Sequence, residues 1–428
     1  MERLYHYLWK TGIPSSGFKD VDGSLVEVVD PGIHNNDAGP DFFNSKLKIN
    51  GVEWVGNVEI HMRASDWYRH GHSSDPAYDN VILHVVGISD KRITRADGSL
   101  IPQIELTFPE KFFHTYATLC DETDVVRCAG MLSSMQSLNT TDWLETLSVE
   151  RLQQKAERIK ELNRLNYGDW EQTCFIMLAR GLGFGLNGDP FEMLAKSIPL
   201  KILHHHSDNL FQLEAMLFGQ AAMLDSSVHI FDEYYQALCR EYYFLARKYG
   251  LKPLRSGLWK YSRTRPYNFP HRRIAMLANE NLGGFSLFSR LLDSRKDPED
   301  IINLFDMHTA GYWIDHFSFD SSGARVADEL SYSSKILLAI NVAVPLLYAF
   351  ASSIGDMELG EKSMGIMRDL PGENNTITRQ WQNIGFKVKD ASRSQALIHL
   401  RKEYCDKNKC IYCRFGHHFL RQSANRQD

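Results

Sequence analysis

Asp41 and Glu59 are the two residues best placed to do chemistry in this sequence. Asp41 sits in Gly39-Pro-Asp-Phe42, after a turn and at the head of an apolar segment. Glu59 sits in Gly56-Asn-Val-Glu-Ile-His61, two residues before His61. Mg²⁺ and Mn²⁺ prefer carboxylate and water oxygens. Metal-assisted hydrolysis also needs a neighbouring group that positions or deprotonates water. Strand alternation puts Glu59 and His61 on one face and turns Ile60 toward the core. If Asp41 opens the partner strand across an Asn50-Gly51 turn, Asp41 and Glu59 meet on that face. The Ile60 carbonyl can then complete the metal shell, with His61 positioning the water. A plainer reading makes Asp41 a turn cap and Glu59 a solvated strand residue. The polar density of the region, with His34, Asn35, Asn36, Asp37 and Asp66 close in sequence, argues for chemistry.

A second group follows in His70-Gly-His72, with Asp75 and His84. These can bind a scissile phosphate, protonate a leaving group or ligate metal. They can equally be loop histidines in solvent, with His84 hydrogen-bonded inside a strand. A rival arrangement joins His61, His70 and His72 in a transition-metal site of a small β-barrel of cupin type. It needs further strands carrying His or Glu, which are not evident.

Near the C-terminus, Cys405-x4-Cys410-x2-Cys413-x3-His417 offers four soft ligands. Zinc takes such a Cys₃His set in a tetrahedron. Alternatives are three thiols on a terminal helix, or an iron–sulfur cluster with Cys120 or Cys128 as a fourth cysteine. Between residues 263 and 273, Arg263, Arg265, Arg272 and Arg273 alternate with aromatics, a composition suited to phosphate contact and base stacking. The competing reading is a rigid connector whose arginines cap helices and pair with acids.

The elements that must hold these residues follow from periodicity. Leu4, Tyr7 and Leu8 predict a short opening helix over Glu2–Lys10. Leu25–Val29, Phe42–Ile49, Val52–Met62 and Asn80–Ile88 predict strands, with a bulge at Gly56-Asn57 and a buried central strand at the last. Ile93–Phe108 predicts a hairpin turning at Asp97-Gly98. From Pro109 the spacing is helical. Ile336–Ile354 carries no charge and nears spanning length, but Asn341 and Pro345 predict a buried helix and no membrane span. The 428 residues, 43% hydrophobic, can fill two or three domains: 1–110 as an α+β core, 111–400 mostly helical, and 401–428 Cys-rich. A net charge of -5 gives no global attraction to nucleic acid, so any contact must be a local basic patch. Seven cysteines without a secretory leader point to reduced thiols in the cytoplasm.

Pro40-Asp41, then Glu59-x-His61, between two strands after an opening helix, resembles the PD-(D/E)XK nuclease superfamily. The match is at Pro40, Asp41 and Glu59, and covers about a quarter of the chain. The usual lysine is replaced by His61, which is neutral near pH 7 and supplies no fixed positive charge. The resemblance implies a restriction-endonuclease-like mixed sheet and Mg²⁺- or Mn²⁺-dependent hydrolysis of nucleic acid. It also implies an acidic residue on the first helix, for which Glu2 is placed. A catalytically inactive nuclease fold that binds nucleic acid, or acts as a scaffold, is the alternative. The whole chain further resembles an uncharacterised bacterial domain family. That likeness rests on Asn36–Phe42, Val58–His61, Ser65–Trp67, His70–His72 and Val81–Val86, and implies no biochemistry.

Overall fold

Leu4, Tyr7 and Leu8 do share one helical face, and α1 (Glu2–Thr11) buries all three in the computed structural model. The structure describes residues 2–12, 18–35, 37–108, 110–120, 126–132, 137–225, 232–262, 264, 268–294, 297–322 and 328–425. The chain is α+β and divides into two units. One is 1–137 with 400–428, so the cysteine-bearing end belongs to it, and the other is 138–399.

The first unit is built on a seven-stranded mixed sheet. β1 (Phe18–Lys19), β2 (Leu25–Asp30), β3 (Ile33–His34), β4 (Phe42–Ile49) and β5 (Val52–Arg63) pair antiparallel, in the order β1-β2-β4-β5 with β3 also on β4. Asn50 and Gly51 both take positive φ, 50° and 81°, as a two-residue hairpin between β4 and β5 requires. The chain then crosses over through α2 (Asp66–Arg69) and two 3-10 turns, His72–Ser74 and Pro76–Tyr78. This brings β6 (Val81–Ile88) parallel to β5, and β7 (Gln103–Glu105) parallel to β6. The expected hairpin at Asp97-Gly98 shrinks to a single Thr94–Leu100 bridge. Ile101, Ile104 and Leu106 bury their apolar surface, and the β7 backbone pairs with β6 instead.

The bulge expected at Gly56-Asn57 falls on the strands either side. Phe42 pairs with Val58 but Ser45 with Gly56, so the extra residue lies in β4, where Asn44 takes positive φ. Asn57 pairs with Val81 but Val58 with Leu83, so β6 carries another. β5 keeps its alternation. Ile60 therefore enters the core with Tyr5 and Trp9 of α1, while Glu59 and His61 take the opposite face. Gly56 permits this close approach: a Cβ there would lie 2.4 Å from Ile82 Cγ2 and 2.8 Å from the Asn80 carbonyl. Gly56→Ala is expected to cost about 1–3 kcal/mol of stability through overpacking, read as a lowered denaturant midpoint. An unchanged midpoint would mean that β6 yields freely.

The second unit is helical, with a core drawn from most of its helices. The apolar stretch lies within Tyr332–Ile354, the one described helix long and apolar enough to cross a membrane, with a mean hydropathy of 1.9 over an 18-residue window. Ile340, Val344, Leu346 and Leu347 are buried in this unit's core. A π-helical turn at Ala339–Ala343 precedes Pro345 and displaces the carbonyl that the proline ring would otherwise strike.

Candidate metal centre

Asp41 and Glu59 orient each other through the backbone. The Asp41 N–H donates to Glu59 Oε2 at 3.1 Å, and the Ile60 N–H donates to Asp41 Oδ2 at 2.9 Å. A strand residue's N–H and C=O leave on the same side, so the Ile60 carbonyl also points to the Asp41 side of β5. The turn before Asp41 is held by Asn35, whose Nδ2 donates to the carbonyls of Asp37, Ala38 and Pro40. From α1, His6 Nε2 approaches Asp41 Oδ2 to 3.3 Å.

The other Glu59 oxygen faces imidazoles. Oε1 is 3.5 Å from His61 Nε2 and 3.4 Å from His72 Nε2. His61 Nε2 in turn lies 3.2 Å from His70 Nδ1. His61, His70 and His72 each present a ring nitrogen within 4.8 Å of the other two. Gly71 between the last two takes φ of 80°, which lets both rings turn inward. His72 is also stacked on Tyr78, with ring centroids 3.8 Å apart. Behind His61 runs a buried chain: His61 Nδ1 lies 2.8 Å from His84 Nε2, and His84 Nδ1 lies 3.2 Å from Gln103 Oε1.

Burial sets the electrostatics. It pushes the Glu59 carboxyl up to about 7; the Asp41 charge adds to this, while the His72 contact and the Asp41 N–H oppose it. Burial and the neighbouring imidazoles hold His61 down to about 2. Burial takes His84 down to about 4, against the pull of its Gln103 bond. Both rings are therefore neutral at physiological pH. Burial opposes a charge on His6 too, but the hydrogen bond and charge of Asp41 outweigh it and raise the pKa.

Asp41, Glu59, His61, His70, His72 and His84 thus come together in one unit. Asp75 does not join them; its side chain caps the 3-10 turn by accepting from the Ala77 N–H at 2.9 Å. Glu2 lies in the first turn of α1 and acts on His6 only through its charge. Arg272 and Arg273 are corrected outright. They lie in the buried helix Pro270–Glu280, 0% and 3% exposed, where no nucleic acid reaches them. Arg263 and Arg265 lie outside the described residues. No disulfide forms among the seven cysteines. Cys405, Cys410, Cys413 and His417 do not draw into a three-ligand set at single-ion spacing; among the described residues only His61, His70 and His72 do. Burial raises the Cys128 thiol, as do Cys413, Cys405 and Cys410 nearby.

Two contributors escape sequence reasoning. His6 lies beside the apolar stripe that explains α1. Gln103 follows His84 by nineteen residues, in a strand too short to show periodicity. Only the polar density from His34 to Asp75 hints at more partners.

Compared with known proteins, residues 2–376 match the profile of a family described as "Protein of unknown function (DUF2851)". No curated protein and no solved structure matches the chain.

Proposed function

Because the chain belongs to the DUF2851 family, whose description names no activity, we propose a function from the site itself: metal-dependent hydrolysis of a nucleic-acid phosphodiester. The observation that carries it is Glu59, with one oxygen clamped against Asp41 and the other against two imidazoles. Asp41, Glu59 and the Ile60 carbonyl are the donors the nuclease resemblance calls for. A bound ion would lower the pKa of its water and neutralise phosphate charge. Among the candidate ions, imidazoles beside the carboxylate favour Mn²⁺ over Mg²⁺. His6, 3.3 Å from Asp41 Oδ2 and with its charged form favoured by that carboxylate against its burial, is the basic side chain beside the carboxylates. Arg69, 70% exposed next to His70, is placed to meet a phosphate. The seven undisulfided cysteines fit a reducing, cytoplasmic setting.

A second reading, nucleic-acid binding without cleavage, is favoured by the neutral imidazole at position 61. The same assay separates the two. Wild-type protein is incubated with single- and double-stranded DNA and RNA in Mn²⁺, Mg²⁺ or Zn²⁺. Chelator-sensitive cleavage is expected, falling by more than about 10²-fold in Asp41→Asn with the fold unchanged. Binding without cleavage under every ion would leave the second reading; neither binding nor cleavage would remove both.

A further inference from the structure

We propose that His61, His70 and His72, whose ring nitrogens lie within 4.8 Å of one another, hold a tetrahedral transition-metal ion of the Zn²⁺ class, with Glu59, beside two of the three rings, turning to it as the fourth donor and with Gln103 and His84 as positioning residues that fix the His61 tautomer. This site deepens the phosphodiesterase read above by sharing Glu59 with it, through the oxygen that faces away from Asp41, and it binds its ion whether or not a phosphodiester is the substrate.

The first support is spacing. Ligands at ~2.0–2.1 Å around a tetrahedral ion stand roughly 3.3–3.4 Å from one another. Three edges of this set measure 3.2, 3.4 and 3.5 Å, and the three imidazoles lie within 4.8 Å of one another; Glu59 stands at that spacing from His61 and His72 but not from all three rings, so its carboxylate closes on the ion by a side-chain rotation. The second is chemistry. Three imidazoles and one carboxylate suit zinc and its first-row neighbours, whereas Mg²⁺ takes oxygens and keeps its waters. The third is rigidity. Glu59 and His61 stand on a regular strand, and His72 is fixed by its stack on Tyr78.

The tautomer follows from donors and acceptors alone. Gln103 Nε2 donates to Ser89 Oγ at 2.7 Å and to the Lys91 carbonyl at 3.3 Å. A carbonyl only accepts, so the amide nitrogen is fixed on that side and Oε1 faces His84. The proton between them therefore sits on His84 Nδ1. His84 Nε2 is left with a lone pair and accepts from His61 Nδ1–H. The His61 Nε2 lone pair then points at Glu59 and His70, where a metal ligand needs it. Metal-binding histidines commonly use their second nitrogen in this way, and loss of such a partner costs 10–100-fold in affinity. Gln103 is 1% exposed and His84 fully buried, so no solvent competes for these bonds.

The test uses full-length protein stripped with chelator and titrated with Co²⁺, then Zn²⁺. One equivalent of Co²⁺ is expected to give the strong visible absorption of a four-coordinate ion, bleached by Zn²⁺. His72→Ala should abolish the band while circular dichroism stays unchanged; His70→Ala, at a more exposed position, replaces it if that variant misfolds. Gln103→Leu should weaken Co²⁺ binding about 10–100-fold, and Gln103→Glu, which keeps an acceptor facing His84, should restore it. A pale six-coordinate spectrum or no binding overturns the tetrad, and wild-type affinity in Gln103→Leu overturns the relay. A tetrahedral Co²⁺ band without nucleic-acid cleavage would remove the phosphodiesterase and leave the tetrad. Mn²⁺-dependent cleavage by protein that gives no such band would do the reverse.

Discussion

Glu59→Gln should abolish metal-dependent cleavage and, in the same protein without metal, raise stability at pH 8. Both effects have one cause. Glu59 is 5% exposed, and burial lifts its carboxyl to about 7. The unfolded chain ionises this group near ~4.3. Because the folded value is the higher one, the stability Glu59 contributes is complete below about pH 4.3 and is lost as pH rises through about 7. At pH 8 the buried carboxylate costs about 3–4 kcal/mol relative to a neutral group. Glutamine keeps an oxygen for the Asp41 N–H and can donate to the lone pair of His72 Nε2. The variant's advantage in melting temperature, measured in EDTA, should open between about pH 4.3 and 7 and hold above that range. Its cleavage rate should fall by at least about 10²-fold, since a neutral amide is a poor metal ligand. Wild-type activity would remove Glu59 from the site. A variant less stable than wild type at pH 8 would mean that the metal-free pocket already satisfies the charge.

The parts of this site that could be read in the sequence are local ones. Alternation in Val58-Glu-Ile-His61 placed two polar side chains against one apolar one, and Asn50-Gly51 named the turn that pairs their strand with the one after Asp41. Density of histidine marked the crossover loop without assigning roles. What stayed hidden depends on pairing between distant segments. The relay needs β7 parallel to β6, so that Gln103 lies opposite His84; three residues of strand carry no periodic signal. At Gly56 a glycine within a strand permits either a bulge or a close neighbour, and only the position of Ile82 decides between them. The terminal cysteines have the spacing of a zinc knuckle, but spacing does not say whether the turn at Asp406–Asn408 brings the sulfurs to single-ion distance.

Arg272→Ala should destabilise the second unit by about 3–5 kcal/mol and leave the intrinsic affinity of the folded protein for nucleic acid unchanged. Its neighbours in sequence, basic and aromatic, suggested a phosphate-binding loop, and charge alone could not tell a surface arginine from an interior one. The helix decides it: Pro270 to Ala278 are buried without a break. Within that helix the guanidinium replaces water with protein acceptors, donating to the Trp313 carbonyl at 2.6 Å, the His316 carbonyl at 3.4 Å and Thr309 Oγ1 at 3.3 Å. Truncation leaves these acceptors without their donor and opens a cavity where the buried side chain stood, so two penalties add. Lysine is a poor substitute, because a single ammonium cannot reproduce the planar fork. Denaturant unfolding measures the loss. Binding should be measured at low temperature on the folded fraction, beside Arg69→Ala on the surface at His70. The surface variant should lower the salt dependence of binding by about one phosphate contact and leave the melting temperature alone, while Arg272→Ala does the opposite. If Arg272→Ala weakens nucleic-acid binding without loss of stability, the guanidinium reaches solvent and its helix is not the interior element described.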